Sequence, residues 1–195
     1  MIIGLNGRLK SGKDTTFSII QSLYPHAERV SFADKLKDSA AASLNLPRDL
    51  MEELKNEEDI KLVFAFPVEG YDRLYSRVSH YEMNIREYLQ RYGTESHREV
   101  FGTDFWVDMA LPLDIEHSDR LLVVTDVRFP NEAIRVLDLG GQIWKIERET
   151  ATAHSDHPSE QDLDKWVDVF VDNTGSLDEL QEKLVDLTNR MMVPC

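Results

Sequence analysis

The chain has 195 residues, 42% of them hydrophobic, and a formal net charge of -14, which fits one compact domain with a real core. That acidic balance argues against nucleic-acid polymers and anionic membranes as partners, because such binding is carried by clustered Lys and Arg; a phosphate site has to be a local exception. The single cysteine, Cys195, allows no intrachain disulfide or cysteine-based metal cluster, and the lack of a membrane-length apolar run or signal-peptide layout leads us to expect a soluble, cytoplasmic protein.

Met1 to Leu5 is apolar and strand-like, Asn6 to Gly12 holds two glycines, and Asp14 to Tyr24 carries Phe17, Ile20 and Leu23 at helical spacing before Pro25. Arg29 to Ala33 reads as a second strand, and Asp34 as the cap of a helix running through Leu36, Ala40 and Leu44 to Pro47. Arg48 to Leu111 is charged and mostly helical in pattern, with Leu62 to Val68 left open because it is apolar yet contains Pro67. Leu121 to Thr125 suits a buried parallel strand, Asn131 to Leu139 a helix stopped by Gly140 and Gly141, and Gln142 to Ile146 another strand. Arg148 to Ser159 has no apolar periodicity and reads as a loop with a lid role. Val167 to Val171 is the last strand, and Ser176 opens a helix with Leu177, Leu180, Leu184 and Leu187 on one face. The expected fold class is α/β: a parallel sheet flanked by helices, with core residues about 1–47 and 119–195 and a helical insertion at about 48–118.

Gly7-Arg8-Leu9-Lys10-Ser11-Gly12-Lys13 matches the G-x-x-x-x-G-K phosphate loop, between a strand and a helix as that motif requires. Glycines let backbone N–H groups turn inward around phosphate oxygens, Lys13 adds a point charge, and the following helix aims its positive end at the same anion. Where the motif usually has a hydroxyl residue as magnesium ligand, this chain has Asp14. Its carboxylate suits Mg²⁺ directly or through water, and equally suits a helix N-terminal charge. Thr15 and Thr16 offer hydroxyls nearby.

Asp126-Val127-Arg128 follows a strand expected beside the first, so Asp126 can hold Mg²⁺ or its water, or accept a proton. Arg128 can clamp a phosphate through its planar fork, and a structural Asp–Arg turn is the plainer alternative. Asp34, Lys35 and Lys37 follow the second strand, and Arg86 and Gln90 lie four apart on one helical face, a spacing that serves a nucleotide or a plain surface stripe. Phe105 and Trp106 can pack against a base or in the core. His154 and His157 flank Asp156 without the further ligands a metal site needs, and Asn173-Thr174-Gly175 can border an adenine pocket or form a turn and cap.

Taken together, GLNGRLKSGKDTT, SFADKLK, REYLQRYGTE followed by FGTDFWV, TDVRFPNEA, HPSE and DNTGSLDEL resemble, in order over nearly the whole chain, the phage-type deoxynucleoside monophosphate kinases. The resemblance implies a P-loop NTPase-type kinase fold whose helical insertion binds the acceptor, with ATP as donor and a deoxynucleoside monophosphate as acceptor. It implies that Lys13, Asp14 and Thr15 serve ATP and metal, and that Arg86, Gln90 and Arg128 face the acceptor. A phage-encoded chain would then act in the host cytoplasm. The GKD form also resembles phosphomevalonate kinase, and the layout dephospho-coenzyme A kinase; an ATP-switched binding module is a further alternative. Sequence leaves monomer and homodimer both open.

Overall fold

Short apolar segments alternating with amphipathic helices bury their faces most economically as a parallel sheet with helices on both sides. The computed structural model describes residues 1–57, 59–67, 78–116, 120–148 and 163–192. Its elements are β1 (Ile2–Asn6), α1 (Lys13–Leu23), β2 (Ala27–Val30), α2 (Phe32–Ser43), α3 (Arg48–Leu54), β3 (Lys61–Pro67), β4 (Val78–Asn84) and α4 (Ile85–Gly93). A π-helical turn (Thr94–Arg98) then leads into α5 (Glu99–Phe101), α6 (Phe105–Ala110), β5 (Leu121–Val124), α7 (Pro130–Asp138), β6 (Gln142–Glu147), β7 (Val169–Asp172) and α8 (Leu177–Met192). Two compact units result, Met1–Asp34 with Trp106–Cys195, and Lys35–Phe105, so both boundaries fall earlier than the sequence pattern places them. Most of the expected loop at Arg148 to Ser159, with His154, Asp156 and His157, lies outside the described residues.

In the first unit the strand order is β2-β5-β1-β6-β7 and every pairing is parallel. Alternate residues of each strand face opposite layers. Ile2, Leu122, Val124 and Ile143 pack with Val107 and Leu111 around α6 and Ala133 and Val136 of α7. Ile3, Leu5, Val123, Trp144 and Ile146 pack with Ile19 and Ile20 of α1 and Leu180 and Leu184 of α8. Leu122, Val123 and Val124 are wholly buried, and each such side chain contributes about 1.5–3 kcal/mol relative to exposure. A buried cation on α7 is neutralised here: Arg135 donates to Leu111 O at 2.7 Å and to Asp108 Oδ1 at 2.5 Å. The order also sets β5 directly beside β1, with Gly4 level with Val124, so the segments leaving both carboxyl ends are neighbours.

The second unit adds a pair of strands to the mostly helical middle of the chain. β3 and β4 form an antiparallel pair in which Leu62 lies opposite Met83 and Phe64 opposite Tyr81. Pro67 is tolerated because in a two-stranded sheet each strand is an edge. Sequence periodicity misses β4 because VSHYEMN is stabilised by its partner strand rather than by its own pattern. Ala40, Ala41, Met51 and Ile85 form a small core, with Leu54, Leu62, Tyr88, Leu89 and Tyr92 packed against it.

Candidate phosphate-binding site

β1 ends at Asn6, whose side-chain amide donates to Val127 O at 2.9 Å, while Val127 N donates to Leu5 O at 3.2 Å. The chain then turns through Gly7 at φ 145°, Lys10 at φ 63° and Gly12 at φ 104° before α1 begins. Two of these positions exclude a side chain. A Cβ on Gly7 would stand 2.5 Å from Ile146 O and 2.6 Å from Ser11 Oγ, and one on Gly12 would stand 2.3 Å from Asn173 Nδ2. Lys10 adopts the same left-handed backbone without being glycine, a conformation that costs about 1–3 kcal/mol where the surroundings enforce it. Lys13 Nζ donates to Gly7 O at 2.7 Å and Arg8 O at 2.9 Å, which lays the ammonium across the loop.

These features fit a polyphosphate. The loop is a cradle that a Cβ would fill, it holds a cation, and Ser11 Oγ is buried without a hydrogen-bond partner among the described residues. The first-turn N–H groups of α1 have no intrahelical acceptor, so the helix start adds donors and positive potential. Asp14 and Thr15 are exposed on that first turn, whereas Thr16 turns inward and is fully buried. For a magnesium ion, the donor set is oxygen as required. Asp14 is accessible, and Asp126 retains an acceptor site on Oδ1 beyond the three hydrogen bonds it accepts.

At the end of β5, Asp126 does work that sequence alone did not reveal. Its Oδ1 accepts from Phe32 N at 3.0 Å, and its Oδ2 accepts from Ser31 Oγ and Ala33 N, each at 2.9 Å. The carboxylate therefore caps α2 from the segment after β5, 94 residues from Phe32, in place of the cap expected from Asp34. Asp34 lies inside the first turn of α2 and pairs with Arg29. Two residues past Asp126, Arg128 is exposed, and its backbone is fixed by Glu132, whose Oε2 accepts from Arg128 N at 2.7 Å and Phe129 N at 3.1 Å. Glu132 is only 3% exposed, so this is a built support for the Arg128 turn. Ser31 and Glu132 are the supporting residues sequence reasoning passed over; the E four residues after Arg128, at the start of a helix, was the available signal.

The structure joins Gly7, Ser11, Gly12, Lys13 and Asn173 by direct contact, the last through Asn173 Nδ2 donating to Ser11 O at 2.8 Å. Trp106 is 1% exposed, the core placement of the two its type allows. The remaining candidates belong to the second unit. Arg86 and Gln90 are exposed one turn apart on α4, Lys35 is exposed, and Lys37 is committed to Glu52 at 2.6 Å. Burial works to raise the Glu52 carboxyl, but hydrogen bonds from Lys37 and Arg48 outweigh it and hold the group down at about 2.

A loop shaped for phosphate at the carboxyl end of a doubly covered parallel sheet is the arrangement of a P-loop nucleotide-binding fold. The deoxynucleotide monophosphate kinase family model matches residues 55–184, and the chain belongs to that family. It is 27% identical over 192 residues to a putative deoxynucleotide monophosphate kinase of Acanthamoeba polyphaga mimivirus, covering 95% of this chain and 94% of that one. It is 24% identical over 216 residues to the deoxynucleoside-5'-monophosphate kinase of Escherichia phage T5, covering 84% and 85% of the two chains. Among solved structures, a dephospho-CoA kinase from Campylobacter jejuni aligns with 97% of this chain and 96% of its own at 15% identity and a TM-score of 0.45. No described helix is long and apolar enough to cross a membrane.

Proposed function

We propose that the protein transfers the γ-phosphoryl group of ATP to the phosphate of a deoxynucleoside monophosphate, giving ADP and the deoxynucleoside diphosphate. The observation that carries this reading is the Lys13 ammonium held across a glycine loop whose Ser11 hydroxyl is buried and has no hydrogen-bond partner among the described residues. In the reaction an acceptor phosphate oxygen bonds to the γ-phosphorus as the bond to the β–γ bridging oxygen breaks. The acceptor phosphate is ionised at neutral pH, so the protein has no strong base to supply. Its task is to align the groups and to offset negative oxygens.

Lys13 and the loop amides would hold the donor's phosphates, and Arg128 would offset charge on the transferring or acceptor phosphate from a turn that Glu132 keeps in place. Bound Mg²⁺ would neutralise phosphate charge, with Asp14 and Asp126 as the side chains suited to hold it or its waters. On the acceptor side, the exposed Arg86 and Gln90 of α4 supply a cation and an amide at the spacing a nucleotide's phosphate and base edge could use.

The test is acceptor-dependent formation of ADP and diphosphate from Mg·ATP and each of dTMP, dGMP, dCMP, dAMP and hydroxymethyl-dCMP, with ribonucleotides and phosphomevalonate as comparison acceptors. Turnover of one or more deoxynucleotides is expected, and Lys13→Ala should reduce it by on the order of 10²–10³-fold. Turnover of phosphomevalonate alone would move the protein to another acceptor class. ATP binding that alters a protein partner without any phosphorylated product would make it a switch.

A further inference from the structure

We propose that Asn173 is a positioning residue of the phosphate loop, acting on the donor's phosphate end and not as a reader of its base. The inference rests on the phosphate-loop reading above and goes beyond it. Asn173 is 7% exposed, and its Nδ2 donates to Ser11 O at 2.8 Å across 162 residues of sequence. In a trans peptide the carbonyl and the following N–H point in opposite directions. Holding Ser11 O therefore sets the direction of the Gly12 N–H on the far edge of the same peptide, and such N–H groups are what a phosphate loop presents. The contact is close enough that Gly12 has no room for a Cβ, which would come within 2.3 Å of the same Nδ2.

The segment carrying Asn173 is itself braced. Asn173 N donates to Glu147 O at 2.7 Å, continuing the β6–β7 ladder. Asp172 accepts from Thr174 N at 3.0 Å and Thr174 Oγ1 at 2.6 Å, and Lys183 Nζ reaches Asp172 O at 2.7 Å and Oδ2 at 3.0 Å. Ser176 and Glu179 cap one another at the start of α8, with Ser176 N to Glu179 Oε2 at 2.8 Å and Glu179 N to Ser176 Oγ at 3.3 Å. A side chain on so fixed a base can hold a loop peptide in one orientation, which matters because the loop's three left-handed residues have no regular ladder of their own.

Inorganic tripolyphosphate separates the two ends of the donor. Calorimetric titration of the full chain with Mg·tripolyphosphate and with Mg·ATP, beside steady-state kinetics, would be run on wild type and Asn173→Asp, which keeps the size but replaces the donor with an oxygen facing Ser11 O. We expect both ligands to weaken by the same factor, about tenfold or more, with kcat lowered and the acceptor KM unchanged within about twofold. Weakened ATP with unchanged tripolyphosphate would overturn the proposal and assign Asn173 to the nucleoside end. If circular dichroism shows Asn173→Asp unfolded, Asn173→Ala is titrated in its place under the same criteria. A wild-type protein that binds neither ligand would instead remove the phosphate-loop reading itself.

Discussion

Asp126→Asn offers a test in which one atom changes and three hydrogen bonds respond. The carboxylate accepts from Phe32 N, Ser31 Oγ and Ala33 N, and it faces the N-terminal end of the 12-residue helix α2. An amide in its place must turn its NH₂ toward either Phe32 N or Ala33 N, so at least one bond to a charged acceptor becomes a donor facing a donor. Losing that bond costs about 1.5–3 kcal/mol, and removing the negative charge from the helix start adds about 0.3–1 kcal/mol. The sum is about 2–4 kcal/mol, which for a chain of this size corresponds to a fall in Tm of about 4–15 °C. Ser31→Ala, which removes only a neutral donor, should cost about 0.5–1.5 kcal/mol. Thermal unfolding at pH 7, read by circular dichroism with turnover measured in parallel, decides the matter. An Asp126→Asn protein that melts with the wild type but has lost activity would refute the capping argument and leave Asp126 as a reacting or metal-holding group alone.

Glu132→Gln should keep the fold while loosening the turn that bears Arg128, raising the acceptor KM more than the ATP KM; equal effects on both would deny the selective role of that turn. Gly7→Ala forces a methyl to within 2.5 Å of Ile146 O at φ 145°, so we expect about 1–3 kcal/mol of lost stability and loss of ATP binding by calorimetry, and a variant that binds ATP normally would contradict the cradle geometry. Glu52 is depressed from 4.5 to about 2, so its contribution to stability is fully present above 4.5 and is lost as pH falls through about 2. The urea midpoint should therefore drop across that window, and Glu52→Gln should flatten the drop. The effect is discounted to about 1 kcal/mol because the side chain is 35% exposed; an identical pH profile in the variant would sink the assignment.

Local patterns in the chain determined the phosphate loop, the strand before it and the helix after it, because glycine spacing, one lysine and a period of apolar residues act over a dozen neighbouring positions. They also determined β5, β6, α7 and α8, each marked by apolar residues within one short segment, and with them the parallel α/β class. The tertiary structure decided what depends on partners distant in sequence. β4 needs β3 across its register, and the cap of α2 comes from Asp126 rather than from Asp34 within its own first turn. Trp106 went to the interior, Lys37 went to Glu52, and the amide of Asn173 went to Ser11 O. Sequence periodicity reports which face of an element is apolar, but a carboxylate, an ammonium or an amide carries no period. Which group satisfies it is settled only when the strands are laid side by side and β5 comes to rest next to β1.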